Sequence, residues 1–182
     1  KIYQNTTLNG YFQSEKYFID YRKEILDILK FKYHIIEKSK KYIDKIRDVN
    51  KGRSLVSIHV RRGDYLMYPD YHPVCSDEYY NLAINEFGGI DPLYVVFSDD
   101  PEWCKSVFNS DIFIVSDLSN QYEEMCAMSM CDHHIIANSS FSWWAAWLNN
   151  SEKKKVVAPL QWFGKMLNKT TSDVYCKGWI KK

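Results

Sequence analysis

The chain has no Cys-x-x-Cys pair, and its five cysteines, Cys75, Cys104, Cys126, Cys131 and Cys176, are odd in number. That spacing argues against a zinc site and leaves the redox compartment open. It has no Gly-x-Gly-x-x-Gly run, so no dinucleotide cofactor is implied. No run is long or apolar enough to span a bilayer and no signal peptide is visible, so no membrane contact is expected from this segment. A net charge of +1 gives no case for nucleic acid or an anionic membrane as partner. There is no internal repeat and no low-complexity linker.

What is present suits one compact core: 182 residues, 46% hydrophobic and 16% aromatic. Charge is uneven, with 13 Lys and Arg against 7 Asp and Glu up to residue 55, and 11 against 16 beyond it. The Lys-rich part reads as a solvated face on two amphipathic helices. Apolar spacing predicts these over residues 16–31 and 33–49, the second closed by Lys51-Gly-Arg53. Strands follow near 54–61, 93–97, 112–115, 133–137 and 156–159. Between them fall a helix capped by Ser76 or Asp77, a short helix opened by Pro101, a helix over 119–130 and a Trp-rich helix. This alternation predicts an α/β fold, a Rossmann-like and mostly parallel sheet flanked by helices and preceded by two helices. The expected division is a helical connecting segment over 1–50 and a ligand-binding domain over 51–182.

Two segments carry chemistry. The first is Ser54-Leu-Val-Ser-Ile-His-Val-Arg-Arg-Gly-Asp64. Period two places Ser57, His59 and Arg61 on one face and Val56, Ile58 and Val60 on the other. Gly63 then lets the chain turn. Two guanidiniums, Arg61 and Arg62, at the carboxyl end of a strand fit a diphosphate bidentately. A solvated turn, or a salt bridge to Asp64, accounts for the same residues equally well. The Arg62-Gly63-Asp64 tripeptide matches adhesion ligands, but the strand leading into it argues against an exposed flexible loop.

The second segment runs from His134 to Asn149, a short strand, a hydroxyl-rich turn and an apolar helix. Asn138, Ser139 and Ser140 are good N-caps, and the helix start presents N–H groups, hydroxyls and a positive dipole end. Plain helix capping is the competing explanation of the serines, and core packing that of the tryptophans.

His59-Val-Arg-Arg-Gly-Asp64, Phe97-Ser-Asp-Asp-Pro-Glu-Trp103 and Asn138-Ser-Ser-Phe-Ser-Trp-Trp144, in that order, resemble the α-1,2-fucosyltransferase family of inverting glycosyltransferases. Gly10-Tyr-Phe-Gln-Ser-Glu-Lys-Tyr-Phe18 also resembles a stretch that this family carries before its donor-binding half. The resemblance covers nearly the whole chain. It departs at the start, where the family's Gly-rich opening and N-terminal portion do not appear, and it implies the donor-binding half of a GT-B-type fold.

The resemblance further implies transfer of L-fucose from GDP-fucose to a galactoside-type glycan. Arg61 and Arg62 would bind the diphosphate in place of a metal ion. His59, Asp100, Asn138, Ser139, Ser140, Phe141 and Ser142 would bind the donor. Asp64 is either the general base or a partner that orients Arg62; a base outside this segment, a water shuttle and His72 are alternatives. Asp100 is equally well an N-cap before Pro101. The implied partners are GDP-fucose and a glycan acceptor, with no resident cofactor or metal. A nucleotide-sugar or glycan-binding module without turnover is the second reading.

Overall fold

The computed structural model describes residues 7, 13–167 and 169–182. Six parallel strands form one sheet in the order β3-β2-β1-β4-β5-β6. They are β1 (Ser54–Val60), β2 (Pro92–Ser98), β3 (Phe113–Val115), β4 (His133–Ile135), β5 (Val156–Ala158) and β6 (Ile180–Lys181). Six α-helices accompany them: α1 (Arg22–Ile28), α2 (Tyr33–Val49), α3 (Asp77–Asn85), α4 (Pro101–Val107), α5 (Gln121–Ser129) and α6 (Ser140–Leu148).

The period-two pattern of β1 sorts the two faces as the sequence predicts. Val56, Ile58 and Val60 pack with Tyr79, Tyr80, Ala83 and Phe87 of the α3 region and Cys104 of α4. Leu55, with Leu93, Val95 and Phe97 of β2, packs against Ile43 and Ile46 of α2, Ala127 and Met128 of α5 and Ala145 of α6. Helices α3 and α4 thus cover one face, and α2, α5 and α6 the other. From β1 the chain builds the sheet outward through β2 to β3, then returns and builds the opposite way through β4 to β6. The reversal falls between β1 and β4, and doubly wound sheets bind ligands in the crevice outside the carboxyl ends of the strands at such a point.

Helix α2 ends at Asn50, and Gly52 takes the left-handed φ of +86° that the turn into β1 requires. The continuous helix expected over 16–31 is not what forms. Glu15–Tyr17 and Ile19–Tyr21 are separate 3-10 turns, and only Arg22–Ile28 is α-helical. The interruption falls at Phe18 (φ −145°), whose ring contacts Trp143, Trp144 and Trp147 at centroid distances of 6.4, 5.5 and 5.4 Å. Contacts with those three indoles outweigh helical continuity there. Ile28 and Leu29, apolar residues within the expected 16–31 helix, are exposed. The tail adds the two-residue β6 beside β5, which pattern reading does not reveal.

Among the described residues no helix is long and apolar enough to cross a membrane. Of the Gly10–Phe18 stretch, residues 10–12 lie outside the described residues.

Candidate functional site

Parallel pairing sets the site. Ser54 pairs with Pro92 and Val60 with Ser98, so the same register carried forward places Arg61 beside Asp99 and Arg62 beside Asp100. Two consecutive arginines thereby meet two consecutive aspartates. Because side chains alternate, each pair lies on its own side of the sheet. Arg61 Nη1 lies 3.1 Å from Asp99 Oδ2, and Arg62 Nε lies 3.0 Å from Asp100 Oδ2.

The two arginines differ in surroundings. Arg62 is the more enclosed, its side chain 18% exposed and its guanidinium carbon 4.0 Å from the Trp103 ring centroid on α4. Asp100 is fixed too, since its Oδ1 accepts from Trp103 N–H as the N-cap of α4. Arg61 lies on the α5/α6 side, nearer the crevice. Its Nη2 donates to Asp64 Oδ1 at 2.6 Å, and its guanidinium carbon lies 5.5 Å from the Tyr65 ring centroid. Asp64 therefore pairs with Arg61, not with Arg62 as the sequence reading allowed. The turn at Gly63 returns the chain on Arg61's side, and Asp100 already holds Arg62.

Asp99 is the hub of this cluster. Its Oδ1 accepts from the Arg62 backbone N–H at 2.9 Å while its Oδ2 meets Arg61. A Cβ at position 63 would collide with the same carboxylate, so only glycine permits that approach.

His59 lies one strand position pair below Arg61 on the same face. It is 5% exposed, its ring centroid is 5.3 Å from that of Phe141, and its Nδ1 has no hydrogen-bond partner among the described residues. Burial, with the Arg61 charge adding, pushes its pKa down to about 3, so the ring is neutral. The His59–Phe141 contact joins β1 to the start of α6 across the crevice. A second tie is the Tyr65 hydroxyl, which donates to the Asn138 carbonyl at 3.1 Å. The structure thus brings the Arg-Arg-Gly-Asp turn, the Ser-Asp-Asp turn and the start of α6 together.

Within Asn138–Ser142 the side chains divide. Ser139 caps α6, its hydroxyl accepting from Phe141 N–H. Ser142 is fully buried and donates to the Ala137 and Ser139 carbonyls. Asn138 is buried; its amide donates to the Pro73 and Trp162 carbonyls at 2.9 and 3.1 Å, and its Oδ1 accepts from Cys75 Sγ–H. Ser140 is exposed and Phe141 half-buried, so of this run they are the ones open to a ligand. His72, weighed as an alternative base, stacks on Tyr65 at 4.9 Å.

Asn138 ties the Pro73 and Trp162 loops together, so Asn138→Ala strands two carbonyls, one half-buried and one buried. The expected loss is about 2–4 kcal/mol of stability, read from the urea midpoint.

Sequence reasoning gives Asp99 and Trp103, both inside the Phe97–Trp103 motif, no role at the site, and misses Glu124 altogether. Asp99 and Trp103 become legible only through the β1–β2 register. Glu124 of α5 carries a pKa pushed up to about 7, by burial and then by the Asp99 charge, and nothing in its local sequence signals this. Among the described residues no group of three His, Cys, Asp or Glu side chains is placed to hold a metal ion.

Residues 3–182 match Glycosyl transferase family 11. The chain is 37% identical over 167 residues to an Escherichia coli alpha-1,2-colitosyltransferase, covering 85% of this chain and 55% of that protein. It is 32% identical over 176 residues to the O-antigen biosynthesis glycosyltransferase WbnK of the same organism, covering 91% of this chain and 58% of that one. With the galactoside 2-alpha-L-fucosyltransferase SEC1 of Bos taurus it shares 31% identity over 153 residues, 78% of this chain and 41% of that protein. It spans little more than half the length of the bacterial relatives. A crystal structure of POFUT1 in complex with GDP superposes with a TM-score of 0.50 at 14% identity, over 70% of this chain and 47% of that one, a likeness of fold.

Proposed function

The chain belongs to glycosyl transferase family 11, and on that premise we propose that it carries the donor-binding half of an inverting transferase. The donor is a GDP-sugar, GDP-fucose first, and the acceptor a hydroxyl of a galactoside-type glycan, as in an α-1,2-fucosyltransferase. A single placement supports this reading most: Arg61 and the start of α6 flank the crevice where the sheet reverses, joined through His59 and Phe141. A pyrophosphate lying there meets a guanidinium on one side and helix-start N–H groups on the other.

In this reading Arg61 supports the charge that develops on the leaving diphosphate, a role a guanidinium fills without losing its own proton. Arg62, stacked on Trp103 and paired with Asp100, stiffens the turn and adds positive potential. Neutral His59 offers Nδ1 to the nucleotide as an uncharged hydrogen-bonding group. Ser140 and Phe141 form the rim. Asp64, once released from Arg61, is the candidate base, and inversion requires it to reach the acceptor hydroxyl on the face of the sugar opposite the leaving diphosphate.

The relatives' names leave two sugars open, a fucosyl or a colitosyl group. Calorimetric titration with GDP and GDP-fucose, beside a transfer assay on a β-galactoside, tests the reading. Binding with transfer supports the enzyme. Binding without transfer favours a nucleotide-sugar-binding module, and no binding of GDP contradicts the proposal. Because guanidiniums carry the charge, any transfer is expected to persist unchanged in excess chelator; its loss would contradict the metal-free account.

A further inference from the structure

Arg61 carries two carboxylates, and they are held very differently. Asp99 has both oxygens committed, to Arg61 Nη1 and to the Arg62 backbone N–H, and its carboxylate occupies the notch left by the missing Cβ of Gly63. Its side chain is 26% exposed. Asp64 is 53% exposed and pairs through Oδ1 with Arg61 Nη2. One guanidinium balanced by two carboxylates already carries an excess of negative charge. A diphosphate cannot join it favourably unless one carboxylate leaves.

We propose that Asp64 holds the place of the donor's diphosphate on Arg61 and is displaced when the nucleotide binds, while Asp99 is a positioning residue that keeps the Arg61 fork aimed. This rests on the reading of the crevice as a GDP-sugar site. The exchange is inexpensive because an exposed ion pair contributes little, whereas Asp99 belongs to the folded turn itself.

The test is titration of GDP into the unaltered chain, Asp64→Asn and Asp99→Asn at low and moderate salt. Each substitution removes one negative charge next to the same arginine. Simple electrostatics would tighten binding in both, and simple structural damage would weaken it in both. Exchange alone predicts opposite signs. Asp64→Asn is expected to bind GDP roughly two- to five-fold more tightly, the size of a lost exposed pair, with a steeper salt dependence. Asp99→Asn is expected to bind about ten-fold more weakly. Weaker binding by Asp64→Asn, or undiminished binding by Asp99→Asn, overturns the proposal while leaving the GDP reading intact. Failure of the unaltered chain to bind GDP overturns both. Should Asp99→Asn not fold, weaker GDP binding by Asp64→Asn still overturns the proposal.

Discussion

Arg61→Lys is expected to lower affinity for GDP by roughly 30- to 100-fold, about 2–3 kcal/mol, while the chain stays folded. Lysine keeps the charge, so any account resting on net potential predicts almost no change. What it loses is the planar fork. Arg61 reaches Asp64 with one terminal nitrogen and Asp99 with the other, and a single ammonium cannot hold both while facing a phosphate. The companion Arg62→Lys separates the arginines. Arg62 is stacked on Trp103 and tied to Asp100, so its loss is expected mainly in the melting temperature, with a smaller change in GDP affinity. Near-normal GDP binding by Arg61→Lys would remove that residue from the diphosphate site. An equal loss of affinity in both variants would show that the pair grips the ligand jointly, as the sequence alone suggests.

A drop in pH from 7.5 to 5 is expected to cost the fold about 3 kcal/mol. His59 and His134 are both buried, each with its pKa pushed down to about 3 from 6.5. Burial, with the Lys154 charge adding, holds His134 neutral, and its hydrogen bonds suit that state. Nδ1 meets Ser57 Oγ at 2.8 Å, and Nε2 accepts from the Asn149 amide at 2.8 Å, leaving no room for a second ring proton. The folded chain therefore binds fewer protons than the unfolded chain below pH 6.5. Stability is fully present above that value and declines as pH falls toward 3, by about 2 kcal/mol per histidine at pH 5.

Glu124 acts in the opposite sense. Its pKa of about 7, raised by burial and by Asp99, means folding takes up a proton there as pH falls. Discounted for its partial exposure, this offsets about 1 kcal/mol of the loss. Urea unfolding at the two pH values measures the net change. Glu124→Gln should steepen the decline, and a flat profile in both chains would contradict the assignment of two neutral buried histidines.

Much of this was legible in residues whose signals are local. The alternation of β1 named the faces of Val56, Ile58 and Val60 correctly because a strand's side chains have only two directions. Ser139 as a cap and Gly52 as a terminator were likewise local chemistry. What escaped was nonlocal. Alternation also sends Arg61 and Arg62 to opposite sides, but what each meets there depends on the register with β2, which only the folded sheet defines. The same holds for Asp99, set against Gly63, and for Glu124, brought near it by α5. Helix periodicity around Phe18 misled for a related reason: three distant tryptophans govern the backbone there. The Asn138–Ser142 run reads as donor-binding throughout, yet Asn138 and Ser142 have their side chains turned inward on neighbouring carbonyls.

A crystal structure with GDP bound tests the central claim most directly. The account places the pyrophosphate in the β1–β4 crevice, with oxygens about 3 Å from the Arg61 guanidinium and from N–H groups at the start of α6. A nucleotide seated elsewhere, with Arg61 still closed on Asp64 and Asp99, would contradict it.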